Sequence, residues 1–346
     1  MKDDVVLGES LGGAASFVSA VLDGVSISFT FISKVGSDFS YSVTHPPLVS
    51  LSSKTTLFHA HFSSQIQRHD RVLKRVHACD PITPSDLPRR RFNFGLAVGV
   101  AGEILPETLE KMLDICDTVF VDVQAMIRVF DPEDGTVKLV HLRDSGFYHL
   151  LPRIGFLKAS SDEAPYIDLE EAKKECCVVV TNGRDGCAVH YKDLEQQIAP
   201  FPTVQLDPTG AGDSFLGGLV VGLAQGLTVP DAALLGNFFG SLTVGQIGLP
   251  KFDLRLLQAV KDEVHEKRSQ LFDIHEMLTD KFVFTKPLDH EEFRLALVRA
   301  KTSLALTIQE CQKEVSCSPG VAEHHNLPCN GNSCEEPIKL ADGVPR

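Results

Sequence analysis

The residue types and spacing most suited to chemistry lie in Leu206-Asp207-Pro208-Thr209-Gly210-Ala211-Gly212-Asp213-Ser214-Phe215. Pro208 biases Asp207 towards an extended backbone, so the chain turns there. Gly210 and Gly212 accept backbone angles that other residues resist, which lets successive N–H groups point one way. Where such a turn opens a helix, the N–H groups of Gly210, Ala211 and Gly212 lack helical partners, and the dipole favours an anion. Asp213 falls in the first helical turn, beside that anion. A carboxylate next to bound phosphate is unfavourable unless it has a task. The natural task is to take the proton of a hydroxyl that attacks the phosphoryl group. The run therefore suggests phosphoryl transfer to an alcohol. Read more plainly, it is a tight strand-to-helix turn with a carboxylate favourable to the dipole.

Several elements must position this turn. Thr203–Leu206 alternates and reads as a short strand. Ser214–Ala224 has no charged residue and reads as a buried helix, with Gly217, Gly218 and Gly222 where another backbone comes near. Upstream, strands are expected at Gly95–Val100, Thr118–Val123, Ile154–Ala159 and Cys176–Val180. An amphipathic helix is expected at Pro106–Ile115, and Gly146–Leu151 continues the rhythm. This alternation predicts an α/β fold with a parallel sheet covered by helices, its ligands beyond the carboxyl ends of the strands. Lys158-Ala159-Ser160-Ser161-Asp162-Glu163 sits at one such end, and its Ser-x-x-Glu spacing is also that of a capping box. Thr181–Gly186 joins Cys176–Val180 to Cys187–Tyr191, an arrangement equally suited to a plain hairpin. Asn237 is the lone amide of an apolar helix over Ala232–Val244, and a buried amide must find partners.

The amino-terminal part is less regular. Gly12-Gly13 opens a small-residue helix through Leu22, Ser28–Ser33 alternates as a strand, and Gly36 and Asp38 belong to a turn. The Ser, Thr, His and Pro-rich stretch 41–88 contains alternating runs at Thr55–Phe62 and Arg71–Val76. Arg71, Lys74 and Arg75 read as a solvated strand face or as contacts over a site.

At 346 residues the chain can bury a large core. Its 43% hydrophobic and 23% charged residues are ordinary for a soluble protein. A net charge of -13 argues against a broad nucleic-acid or membrane surface, while leaving room for a basic pocket. No stretch is apolar enough to span a bilayer, and no signal-peptide core follows Met1. Nine cysteines form no paired framework, which suggests reduced thiols and a cytoplasmic location. Cys311, Cys317, Cys329 and Cys334, even with His324 and His325, match no zinc pattern. Residues 288–315 have a helical pattern, and 317–346 read as disordered.

Asp-x-Thr-Gly-Ala-Gly-Asp followed by a glycine-rich apolar helix resembles the second signature of the PfkB (ribokinase-like) carbohydrate kinases. The resemblance covers about residues 11–267. It implies a ribokinase-like three-layer sandwich with a mostly parallel central sheet and a small β lid. It also implies ATP as co-substrate, with Mg²⁺. Asp213 takes the role of catalytic base, and the Gly210, Ala211 and Gly212 amides that of the anion hole. Gly12, Gly13, Gly36 and Asp38 match substrate-binding positions. Thr181, Gly183 and Gly186 lie alongside the nucleotide, and Asn237 lies near the adenine. Ser160 replaces an Asn of the family's Asn-x-x-Glu element and becomes an ATP contact; Glu163 keeps the metal-organising carboxylate.

Phe17 departs from the Asn usual in the first motif. It accords, with the runs around Arg71–Pro81, Gly102–Lys111 and Gly146–Ala159, with the plant myo-inositol 3-kinase branch, which implies a polyol substrate. A kinase domain over 1–269 and a carboxyl-terminal extension over 270–346 are expected. Eleven residues precede Gly12, too few for the family's first core strand, so an exposed sheet edge and impaired substrate binding are expected. Another sugar kinase and a catalytically silent kinase-like binding protein are the alternatives.

Overall fold

The computed structural model describes residues 8–61, 72–275 and 282–316. The expectations for Arg71 and for the tail beyond residue 316 lie outside that range. In chain order the elements begin with α1 (Ala14–Gly24), β1 (Lys34–Gly36), β2 (Leu48–Ser50), β3 (Leu57–His61), β4 (Val72–His77), β5 (Phe92–Ala97), α2 (Pro106–Ile115), β6 (Cys116–Asp122) and α3 (Gln124–Ile127). They continue with β7 (Arg128–Phe130), β8 (Val137–Leu139), β9 (Phe156–Ser160), α4 (Leu169–Glu175), β10 (Cys177–Thr181), β11 (Cys187–Tyr191) and β12 (Leu194–Ile198). Four long helices follow: α5 (Ala211–Ala224), α6 (Val229–Thr243), α7 (Leu254–His275) and α8 (His290–Ser316).

The central sheet has the order β12-β11-β10-β9-β6-β5. The strands β5, β6, β9 and β10 run parallel, while β11 and β12 extend the sheet antiparallel. Successive residues of these strands feed opposite layers, as a period of two requires. Val119 and Val121 join the core that contains Leu109 and Ala172, whereas Phe120 joins the core of α1, α5 and α6. Because both faces are covered, the strands read as nearly continuous apolar runs. This is the three-layer α/β sandwich that the sequence implies.

Two expected strands do not form. Ser28–Ser33 alternates in exposure but has no ladder partner, and the nearby strand is β1, which pairs in parallel with β2. Thr203–Leu206 also lies outside every sheet, with Val204 78% and Leu206 63% exposed. Alternation alone does not make a strand; a free edge must lie within hydrogen-bonding reach. The outer edge of β5 carries no partner among the described residues. Gly146–Leu151 is taken up in a 3₁₀ segment, Tyr148–Arg153, rather than an α-helix.

The lid region holds β2 and the antiparallel pair β3–β4, and β4 leans on the β7–β8 hairpin through a Lys74–Thr136 bridge. The solvated-face reading fails here for Arg75. Its guanidinium donates to the Ala101 carbonyl at 2.5 Å and lies 3.5 Å over the Phe130 ring. Lys74 pairs with Asp134 at 2.6 Å.

The chain divides into two compact units, Met1–Leu304 and Ala305–Arg346. Within the second unit the described part is the end of α8. Phe293 and Leu297 of α8 are buried in the main core, and His290 Nδ1 meets the buried Asp231 carboxylate at 2.6 Å. Lys267 joins the same group through Asp231 and Asp289.

Two outcomes follow from this packing. A chain ended after Ser269 loses two apolar anchors worth about 1.5–3 kcal/mol each and the imidazole facing Asp231. Its thermal unfolding should lose cooperativity relative to a chain ended after Ser316. A β-carbon on Gly218 would lie 2.8 Å from the Leu235 carbonyl and 2.9 Å from the Gly236 α-carbon, where only backbone could yield. Gly218→Val should therefore cost about 1–3 kcal/mol, read as a lowered Tm.

Candidate active site

The site assembles where strand ends meet the start of α5. Gly210 takes the left-handed conformation (φ 76°) that ends the turn and caps α5. The Ser214 N–H donates to the Gly210 carbonyl at 2.8 Å, and the Thr209 N–H to Asp207 Oδ1 at 2.9 Å. Of the three amides expected to face an anion, that of Ala211 is partly engaged, donating to the Pro208 carbonyl across 3.3 Å. A β-carbon on Gly210 would fall 2.1 Å from the Phe17 ring. Phe17 of α1 thus fills the space against the turn and brings the Gly12-Gly13 end of α1 towards it.

Asp213 sits in the first turn of α5 and keeps part of its surface open. Its neighbours come from strands distant in sequence. Asp122 ends β6, Lys158 lies opposite it in β9, and their side chains join at 2.9 Å. Asp122 is fully buried and Lys158 is 6% exposed. The Gln124 amide donates to Asp213 Oδ1 across a long 3.4 Å. A β-carbon on Gly212 would lie 2.8 Å from Lys158 Nζ. The ammonium is therefore packed against the turn itself.

Electrostatics set the state of this cluster. Burial and the nearby Asp122 carboxylate push Asp213 up to about 6, with Lys158 and Arg128 pulling the other way. Burial also pushes Asp122 above the usual carboxylate range, against the pull of Lys158. For Lys158, burial works against the charge. The surrounding carboxylates of Asp122, Glu163 and Asp213 prevail, so its pKa is raised and the ammonium persists.

The other expected site residues fall into separate groups. Ser160 and Glu163 form a reciprocal cap: Glu163 Oε2 accepts from the Ser160 N–H and hydroxyl, each at 2.9 Å. Arg128 stands 3.7 Å from Glu163 Oε1. Burial would raise Glu163, but Lys158, the Ser160 N–H and Arg128 hold it below its ordinary range. Thr181 closes β10 beside Ser160, so both stand at carboxyl ends of parallel strands. Gly183 and Gly186 have positive φ in the β10–β11 hairpin, and a β-carbon on Gly186 would meet the Ile198 carbonyl at 2.2 Å. Asn237 is buried, and its amide donates to the Ile198 and Ala199 carbonyls at 3.2 and 3.0 Å. Internal carbonyls thus satisfy it.

Around both Gly12 and Gly13 there is open space. Gly36 is hemmed in by Asp38, Ser53 and Thr55, and Asp38 Oδ1 accepts from the Thr55 N–H and hydroxyl at 2.8 and 2.7 Å. Gly36 and Asp38 thus build a stapled turn. Sequence reasoning missed Asp122, Gln124, Arg128 and Lys158. The available signal was a charged residue inside each of two apolar strand runs, since a lone buried charge demands a partner.

The pattern described as pfkB family carbohydrate kinase matches residues 158–251. An inositol 3-kinase from Arabidopsis thaliana is 65% identical over 273 residues, covering 78% of this chain and 77% of its own. An inositol 3-kinase from Oryza sativa subsp. japonica is 52% identical, covering 85% and 77%. The chain belongs to the PfkB family of carbohydrate kinases. Among solved structures, a pyrophosphate-dependent kinase in the ribokinase family, complexed with a pyrophosphate analog and myo-inositol, shares the fold. Its TM-score is 0.60 at 17% identity, covering 72% of this chain and 93% of that one. No helix among the described residues is long and apolar enough to cross a membrane.

If Asp213 serves as the base, its carboxyl, pushed up to about 6, defines the sign of the pH effect. Protonated Asp213 accepts nothing, so activity should fall about tenfold per pH unit below that value and level off above about 7. A pH profile of kcat/KM checks this; a flat acid limb down to pH 4 would contradict it.

Proposed function

We propose that the protein transfers the γ-phosphoryl group of ATP to a hydroxyl of myo-inositol, giving myo-inositol 3-phosphate. The observation that carries the reaction type is Asp213, held as a carboxylate titrating at about 6 beside the Gly210–Gly212 turn. The plant relatives, named inositol 3-kinases, carry the substrate and the position of the hydroxyl.

In this reading the substrate enters near Gly12, Gly13, Gly36 and Asp38, while Ser160, Thr181, Gly183, Gly186 and Asn237 border the nucleotide. Asp213 takes the hydroxyl proton as the new O–P bond forms and the bond to the leaving diphosphate breaks. The amides of Gly210 and Gly212, and that of Ala211 once released from Pro208, hold the migrating group.

The residues at Glu163 fit a metal held at one remove. Oε2 already accepts twice from Ser160 and Oε1 faces Arg128, so Mg²⁺ would be oriented through water rather than gripped. Bound to the phosphates, Mg²⁺ supplies neutralisation of the leaving diphosphate.

Asp213→Asn should lower phosphorylation by about 10²–10⁴-fold while leaving ATP affinity near that of the parent chain. Calorimetry with ATP beside a coupled assay checks both, and equal turnover of the two proteins refutes the base role. The same assay run with inositol, ribose, fructose and adenosine tests the substrate. Turnover of a sugar in preference to inositol moves the enzyme elsewhere in the family. No turnover and no inositol binding marks a silent binding protein.

A further inference from the structure

Lys158 is a buried ammonium with three protons and, among the described residues, one hydrogen-bond partner, Asp122 Oδ2 at 2.9 Å. Strand register explains the pair, since Lys158 and Asp122 face one another across parallel β9 and β6. It does not explain where the ammonium points. Nζ lies 2.8 Å from the place a β-carbon on Gly212 would occupy, so it abuts the last residue of the Gly210–Gly212 turn. Desolvating a lysine and leaving two of its protons unsatisfied is costly unless an acceptor arrives. The acceptor that suits a cation beside a helix N-terminus and small-residue turn is a phosphoryl oxygen.

We infer that Lys158 is a catalytic residue of the transfer, donating from Nζ to an oxygen of the migrating phosphoryl group while Asp122 holds the ammonium in place. This rests on the kinase reading above and adds a charged donor to an anion hole otherwise built from backbone amides. Gly212 lies within α5 without a positive φ, so its small size has this reason instead. A side chain there would displace the ammonium from the turn. Arg128 is spoken for by Glu163 at 3.7 Å, which leaves Lys158 as the cation placed against the turn.

The test compares the parent chain with Lys158→Met and with the double variant Asp122→Asn/Lys158→Met, which leaves no unpaired buried charge if the single variant fails to fold. Thermal unfolding establishes that each variant is folded. Affinities for ADP and for a non-hydrolysable imido analogue of ATP are measured by calorimetry, and kcat and KM for inositol by a coupled assay. If Lys158 touches the transferred group, the imido analogue should bind about tenfold more weakly and kcat should fall about a hundredfold. Affinity for ADP and KM for inositol should stay within about threefold. Equal weakening of ADP and the imido analogue, or a folded variant with kcat within about threefold of the parent, overturns the assignment while the kinase reading stands. A parent chain that binds neither nucleotide and phosphorylates nothing overturns both.

Discussion

Two carboxylates, Asp122 and Asp213, come close enough at the end of the sheet for Asp213 to feel the charge of Asp122. Everything around them manages that repulsion. Lys158 lies beside Asp122 at 2.9 Å and tempers the field at Asp213, while Arg128 answers Glu163. Among the carboxylates Asp122, Glu163 and Asp213, it is Asp213 that keeps an open side. In the base role proposed for Asp213, a carboxyl pushed up to about 6 is mostly ionised at neutral pH yet still able to accept a proton. Without the lysine the Asp213 carboxyl would be pushed higher still.

That balance relies on close backbone packing. The helix carrying Asp213 is pressed against α6 at Gly218 and Gly222 and against α1 at Gly217. These contacts set the height of the α5 start relative to the strand ends, and with it the separation between Gly212 and Lys158. Phe17 completes the arrangement from the other side by lying on Gly210. The helix propensity forfeited by the glycines is therefore exchanged for a rigid turn. The α7 and α8 segments stiffen the same layer from behind, through the Asp231, Lys267 and His290 group.

Much of this architecture can be read without coordinates. Pro106–Ile115 is a helix at the bounds that its proline and periodicity indicate, and the turn opens α5 with Gly210 in the left-handed conformation, while Gly212 is already helical. Local signals of that kind act over a few residues. Ser28–Ser33 and Thr203–Leu206 show where such signals stop, because strand formation depends on what lies alongside. The hairpin β7–β8 and the strand β12 went unread for the complementary reason. Their residues are too mixed to announce a strand, yet a neighbouring edge recruits them.

The sequence by itself determined the Gly210 turn that opens α5, the layered α/β plan and the family, since each is encoded in contiguous residues whose backbone preferences are local. The tertiary structure alone decided which charges surround Asp213. Lys158 is 36 residues from Asp122, and Gln124 is 89 residues from Asp213; only the parallel register and the landing of α5 bring them together. It also decided that Asn237 and Asp38 are engaged by internal partners, because hydrogen-bond satisfaction is a property of neighbours in space.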